Sequence, residues 1–192
     1  DDEVRGIATQ YLNKKSDGIY LFNYHSIDTK WKHSMLNEIA SLDNLKNSNK
    51  KYQIDNFTRR NYFSQLGAAF SNAIPEVQLP LTFDKNDSEL DLSISISEPL
   101  LEEPNSKINI SVSVNIENLP PSHNIHLTIN NNLSGFLREI PSEIDSERIL
   151  LFDGTHIKAH NNVKISLDSR QEIDCNQKPT VTGFSVALDY NN

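Results

Sequence analysis

Two stretches of this chain gather side chains with chemistry to offer. The run SDGIYLFNYH (16–25) ends in Asn23, Tyr24 and His25, an amide, a phenol and an imidazole in consecutive positions. Together they can donate and accept hydrogen bonds. The run FDGTHIKAH (152–160) sets Asp153, His156 and His160 at a spacing that would suit a metal ion on a helix. Asp153-Gly154 marks a turn, however, Ile157 with Ala159 suits a short strand rather than a helix, and the two histidines have no third strong ligand nearby. We therefore expect no metal and no cofactor. His123 and His126 lie three apart in a strand-like run and point to opposite faces, so they cannot share an ion. Cys175 follows Asp174, whose charge disfavours a thiolate nucleophile. No GxxxxGK loop is present to cradle a phosphate. What remains is the triplet at 23–25, and the question of what positions it.

Around that triplet the pattern is helix, strand, helix. From Asp2 to Lys14, the residues Val4, Ile7, Ala8, Tyr11 and Leu12 recur at helical spacing. Acidic residues stand at the start and Lys14-Lys15 at the end, an order that suits the helix dipole. Ser16-Asp17-Gly18 is a turn, with the glycine just past the helix. Ile19 to Tyr24 is too short and too continuously apolar for a helix. It reads as a strand buried on both faces, as in a parallel sheet flanked by helices. Leu36, Ile39, Ala40 and Leu42 then open a second amphipathic helix.

After about Thr82 the period changes from helical to alternating. ELDLSISIS (89–97) and KINISVSVNI (107–116) place every second residue on one apolar face. NIHLTIN (124–130), RILLF (148–152), NVKISL (162–167) and TVTGFSVALDY (180–190) continue the pattern, separated by turn-rich segments. Six or seven such strands predict an antiparallel β-sandwich, Ig-like or jelly-roll-like. The expected organisation is a helix–strand–helix segment at 1–66, a connector at 67–82 holding Pro75 and Pro80, and the sandwich at 83–192. Phe152 and Phe184 fall on core phases, which leaves Phe136 as the exposed aromatic of the sandwich.

A two-sided apolar strand between two helices cannot be buried by those helices alone, and exposed it would be a patch that a soluble monomer avoids. Here the chain resembles a known group. VRGIATQYLNKKSDGIYLFNYHS (4–26) is similar to the final helix–strand stretch of bacterial glycoside-hydrolase-like (β/α)8 barrels. MLNEIASLDNLKNSNKKYQID (35–55) resembles their last barrel helix and exit segment, and HNIHLTINN with KAHNNVKISL resembles their appended sandwich. Two departures stand out: Lys15-Ser16 occupies a usual Gly-Ala, and His25 stands near a position where an aromatic is common. The resemblance implies that residues 1–66 are the remnant of an α/β barrel completed by an upstream part of the same polypeptide. It also implies that Asn23, Tyr24 and His25 close the eighth strand at the substrate mouth. There an amide suits sugar hydroxyls and a Tyr ring suits stacking. The alternative is that Tyr24 packs on the last helix and Asn23 caps a loop. The two carboxylates of glycoside hydrolysis would come from earlier strands, and residues 18–25 hold no Asp or Glu, so this chain alone is expected to be inactive.

Composition narrows the partners. A net charge of -8 and a pI near 5.2, with scattered basic residues, argue against nucleic acid. No stretch approaches the length of a membrane helix. With Cys175 alone there is no internal disulfide, which leaves export open. The chain starts at Asp1, which we read as a mature form or a fragment. Four Asn-x-Ser/Thr matches, at Asn56, Asn86, Asn109 and Asn132, are expected by chance in a chain so rich in Asn and Ser. The leading expectation is a non-catalytic C-terminal portion that supports carbohydrate binding. Its rival is an adhesion or assembly module acting through protein contacts, and self-association is compatible with either.

Overall fold

The computed structural model of the chain describes residues 2–19, 31–54, 78–84, 88–98, 108–168 and 178–190. Within them lie three helices, α1 (Asp2–Asn13), α2 (Trp31–Glu38) and α3 (Leu42–Leu45). The strands that follow are β1 (Lys50–Ile54), β2 (Leu81–Thr82), β3 (Glu89–Ser95), β4 (Ile108–Glu117) and β5 (Ile125–Ile129). They continue with β6 (Asn132–Ser134), β7 (Phe136–Ile140), β8 (Glu147–Asp153), β9 (His160–Leu167) and β10 (Thr180–Tyr190).

The chain is mainly β and forms an antiparallel sandwich. One sheet runs β1-β10-β4-β8-β7, with β2 also paired to β10, and the other runs β3-β9-β5-β6. Alternation in the sequence becomes alternation in burial. In β3, Leu90, Leu92 and Ile94 point inward while Glu89, Asp91, Ser93 and Ser95 are exposed. They share one cluster with Val163 and Ile165 of neighbouring β9 and, across the core, with Val112, Val114 and Ile116 of β4 and Val186 and Leu188 of β10. Burying a Val, Leu or Ile side chain is worth about 2 kcal/mol, so this shared face holds the two sheets together. The β5–β6 turn is a two-residue hairpin at Asn130-Asn131, both at positive φ (52° and 66°). Asn tolerates that conformation better than most side chains, and the twist of such a turn matches the strands it joins.

The sandwich begins earlier than the expected boundary at residue 83. β1 lies inside the segment 1–66 and β2 at the end of the connector, yet both pair with the outer edge of β10, at 184–188 and 180–181. The long strand β10 thus has a partner along most of that edge. Lys50 hides β1 from a hydropathy scan, since a charged residue occupies an inward, fully buried position.

The helical segment is docked on the edge so formed. Ala8, Met35, Ile39 and Leu45 make its own small core, with Val4, Leu12 and Ile19 packed against it. α1 lies along β1 and also reaches the second sheet. The Gln10 amide donates to the Ser95 carbonyl at 2.9 Å, and Asn13 donates to that of Ser97. Glu3 pairs with Lys51 at 3.0 Å, and Arg5 pairs with Glu38 of α2 at 2.6 Å. A helix laid over the edge strands of both sheets covers backbone groups that would otherwise invite another chain. α1 ends at Asn13, and the residue that turns the chain out of it in the left-handed region is Lys15 rather than Gly18. Lys15 has φ 62°, Lys15 N–H donates to Leu12 O and Ser16 N–H donates to Tyr11 O, which closes the last turn.

Close approach at Gly6 makes the docking testable. A Cβ there would collide with the carbonyl oxygen of Lys51. Helix propensity alone favours Gly6→Ala by about 1 kcal/mol. Overpacking against backbone costs more, and we expect the variant to be about 1–2 kcal/mol less stable. Urea denaturation checks this; a more stable Gly6→Ala protein would mean that α1 does not sit on β1.

Candidate functional site

Two polar assemblies stand out, one buried and one open. The buried one lies beneath α1. Lys50 projects inward from β1, and its Nζ lies 2.9 Å from Oε2 of Glu98, just past β3, with both side chains almost fully buried. The ammonium also donates to Ser48 O at 3.1 Å and sits 4.8 Å from the centroid of the Tyr190 ring. The buried Tyr52 and Tyr190 hydroxyls make no hydrogen bond of good geometry. Burial, and secondarily the negative charge of Glu98, raises both phenols well above the usual tyrosine range. A raised folded pKa means the stabilisation is complete below the unfolded value near pH 10. It is lost as pH rises through the folded pKa, because the unfolded chain releases those protons first. We expect urea midpoints to fall steeply above about pH 10, and Tyr52→Phe to flatten that fall. A midpoint independent of pH there, or unchanged by the substitution, would contradict the assignment.

The open assembly is a depression of about 330 Å³ on the outer face of the six-stranded sheet. β1 contributes Lys51 and Gln53, the wet-face neighbours of inward Lys50 and Tyr52. β4 contributes Asn115 and Glu117, and β8 contributes Glu147. In β10 the register shifts between Val181 and Gly183, a bulge that accommodates Thr182. Gly183 is needed beside it, because a Cβ there would press on Asn115 at 3.1 Å.

Glu147 organises this surface. Oε1 accepts from Asn115 Nδ2 at 3.3 Å and from Thr182 Oγ1 at 3.3 Å, while Oε2 accepts from Ser142 Oγ at 2.6 Å. Ser113 Oγ in turn donates to Asn115 Oδ1 at 3.4 Å. The Asn115 amide and the Thr182, Ser142 and Ser113 hydroxyls are therefore held in set orientations by this network. Exposed Ile144 adds an apolar lip. Such a surface offers directional donors and acceptors to a polyhydroxylated ligand, without an aromatic ring on which to stack it.

Asn23, Tyr24 and His25 lie outside the described residues, as do Cys175 and most of the expected strand at 19–24. Phe152 and Phe184 are core residues, at 1% and 2% exposure. Phe136 on β7 is 57% exposed, edge-on to Phe152 at 5.7 Å between ring centroids, with exposed Leu137 next to it on β7 and exposed Leu133 on the preceding strand β6. His123 is buried just before β5, and His126 is exposed on it. His156 lies in the turn after β8, while His160 opens β9 and its Nδ1 is 3.1 Å from Ser95 Oγ. Among the described residues no three His, Cys, Asp or Glu side chains converge on one point.

Sequence reasoning missed the depression because its residues come from four strands far apart in the chain. The signal it carried was Gly183 inside β10, where an interior glycine marks a bulge or a close approach. Compared with known proteins, the chain matches no family model and no curated protein.

Proposed function

We propose that this chain is the non-catalytic C-terminal portion of a glycoside-hydrolase-like protein, with a sandwich that binds carbohydrate in the depression around Glu147. The observation that carries the reading is the array of oriented amide, hydroxyl and carboxylate groups lining a cavity of about 330 Å³ on a rigid sheet. Sugars present closely spaced hydroxyls, and each matched hydrogen bond contributes about 1 kcal/mol. The helical segment supports the other half of the reading. Ile7 and Tyr11, one turn apart on α1, and Leu36 and Leu42 near it are exposed apolar residues. An upstream barrel of the same polypeptide would cover them.

Isothermal titration with gluco-, xylo- and chito-oligosaccharides tests the binding. The wild-type chain is expected to bind at least one series, and Gln53→Ala or Asn115→Ala to weaken it about tenfold each. Full affinity in both variants would remove the depression from the account. A second reading, an assembly module working through protein contacts, draws on the exposed Leu133, Phe136 and Leu137. It predicts concentration-dependent association that Phe136→Ser abolishes, with no sugar bound.

A further inference from the structure

Carbohydrate ligands differ in charge, and the lining of the depression discriminates among them. Glu117 of β4 stands directly opposite Glu147 of β8 in the antiparallel register, and both line the cavity. Cβ atoms of directly opposed residues lie about 5 Å apart, and like charges at that separation destabilise a sheet. Glu147 is partly compensated by the three hydrogen bonds it accepts. The Glu117 side chain makes neither a hydrogen bond nor an ion pair among the described residues. Lys51, the basic group in the lining, is already engaged by Glu3 of α1 at 3.0 Å. The surface is thus anionic where a ligand would sit, on a chain of net charge -8.

We infer that the depression takes an amino sugar, with the ligand's ammonium held between Glu117 and Glu147 and its hydroxyls met by Gln53, Asn115 and Thr182. This rests on the carbohydrate-binding reading above. A charged amine offsets one of the two opposed negative charges and has three N–H donors to share between them, while an N-acetyl group brings no charge and a uronate adds a like one.

Titration of the full chain with tetramers of glucosamine, N-acetylglucosamine and galacturonic acid separates the possibilities. At a pH where the amine is charged and at low salt, the glucosamine tetramer is expected to bind about fivefold more tightly than the acetylated one. That advantage shrinks at high salt. The uronate is expected to bind weakest. Glu117→Gln is expected to erase the preference while leaving the fold intact, since that side chain makes no hydrogen bond or ion pair among the described residues. Equal or tighter binding of the acetylated tetramer, or a preference that survives Glu117→Gln, overturns the amino-sugar assignment and leaves sugar binding standing. Failure of all three tetramers, together with the gluco- and xylo-series, overturns both.

Discussion

Glu98→Ala is expected to cost about 3–5 kcal/mol, enough to remove much of the stability of a typical domain. The reason is what the substitution leaves behind. Lys50 is buried to 2% exposure beneath α1, and without Glu98 its ammonium keeps only the Ser48 carbonyl and the face of Tyr190. An uncompensated charge in that environment is far more costly than the lost attraction suggests. Replacing both partners, Lys50→Met with Glu98→Leu, removes the charge and its desolvation together. The double variant is expected to recover most of the loss and lie within about 1–2 kcal/mol of wild type. Urea denaturation of the two single variants and the double gives the coupling directly. Additive losses would show that the pair is not closed in solution. The charged pair also explains why β1 escapes a hydropathy reading: it enters the core through a lysine rather than an aliphatic residue.

Asn161→Leu is expected to cost about 3 kcal/mol although it places an apolar side chain of similar size in a buried site. Asn161 is 3% exposed and makes four hydrogen bonds. Its Nδ2 donates to Ile94 O at 3.2 Å and to Lys158 O at 2.7 Å. Its Oδ1 accepts from Lys158 N at 2.7 Å and from Asn130 Nδ2 at 2.9 Å. The side chain therefore ties the β8–β9 connection to β3 and to the Asn130-Asn131 hairpin. Leucine removes all four bonds: it strands the Ile94 carbonyl in a buried site and takes a partner from both backbone groups of Lys158, while Asn130 Nδ2 keeps only its bond to His156 O. Asn161→Asp keeps the acceptor but sets a carboxylate against two carbonyls. Its deficit relative to wild type is expected to be largest at neutral pH and to shrink as acid protonates the new group and restores a donor. Thermal or urea denaturation checks both variants; an Asn161→Leu protein as stable as wild type would mean that the four bonds contribute nothing net.

These sites mark where the sequence is legible and where it is not. β3, β4, β5, β9 and β10 announce themselves because each has one dry and one wet face, so their apolar residues fall largely at every second position, while β8 stands out as the apolar run Ile149 to Phe152. α1 is equally plain from Val4, Ala8 and Leu12. The strands that escape a linear reading lack that contrast. β7 is an edge strand whose residues Phe136 to Glu139 are all exposed, so no burial pattern is imposed on its sequence. β2 is too short to show a period. Composition points to Gly18 as the residue that turns the chain after α1, whereas Lys15 does so, because a lysine in the left-handed region carries no compositional signal.

The depression is illegible for a related reason. Gln53, Asn115, Glu147 and Thr182 are each ordinary wet-face residues in their own strands, and only the register of β1, β10, β4 and β8 brings them side by side. A linear reading offers candidates whose members are neighbours in sequence, such as Asn23, Tyr24 and His25, which lie outside the described residues. It does not find sites assembled across a sheet.

The most direct measurement is a titration of the ¹⁵N-labelled chain with oligosaccharides of the gluco-, xylo-, chito- and amino-chito-series, read by backbone amide shifts. Carbohydrate binding in the depression predicts saturable shifts clustered at Gln53, Asn115, Glu147, Thr182 and Gly183, with the opposite sheet silent. Shifts centred on Leu133, Phe136 and Leu137 instead, or none with any series, would contradict it.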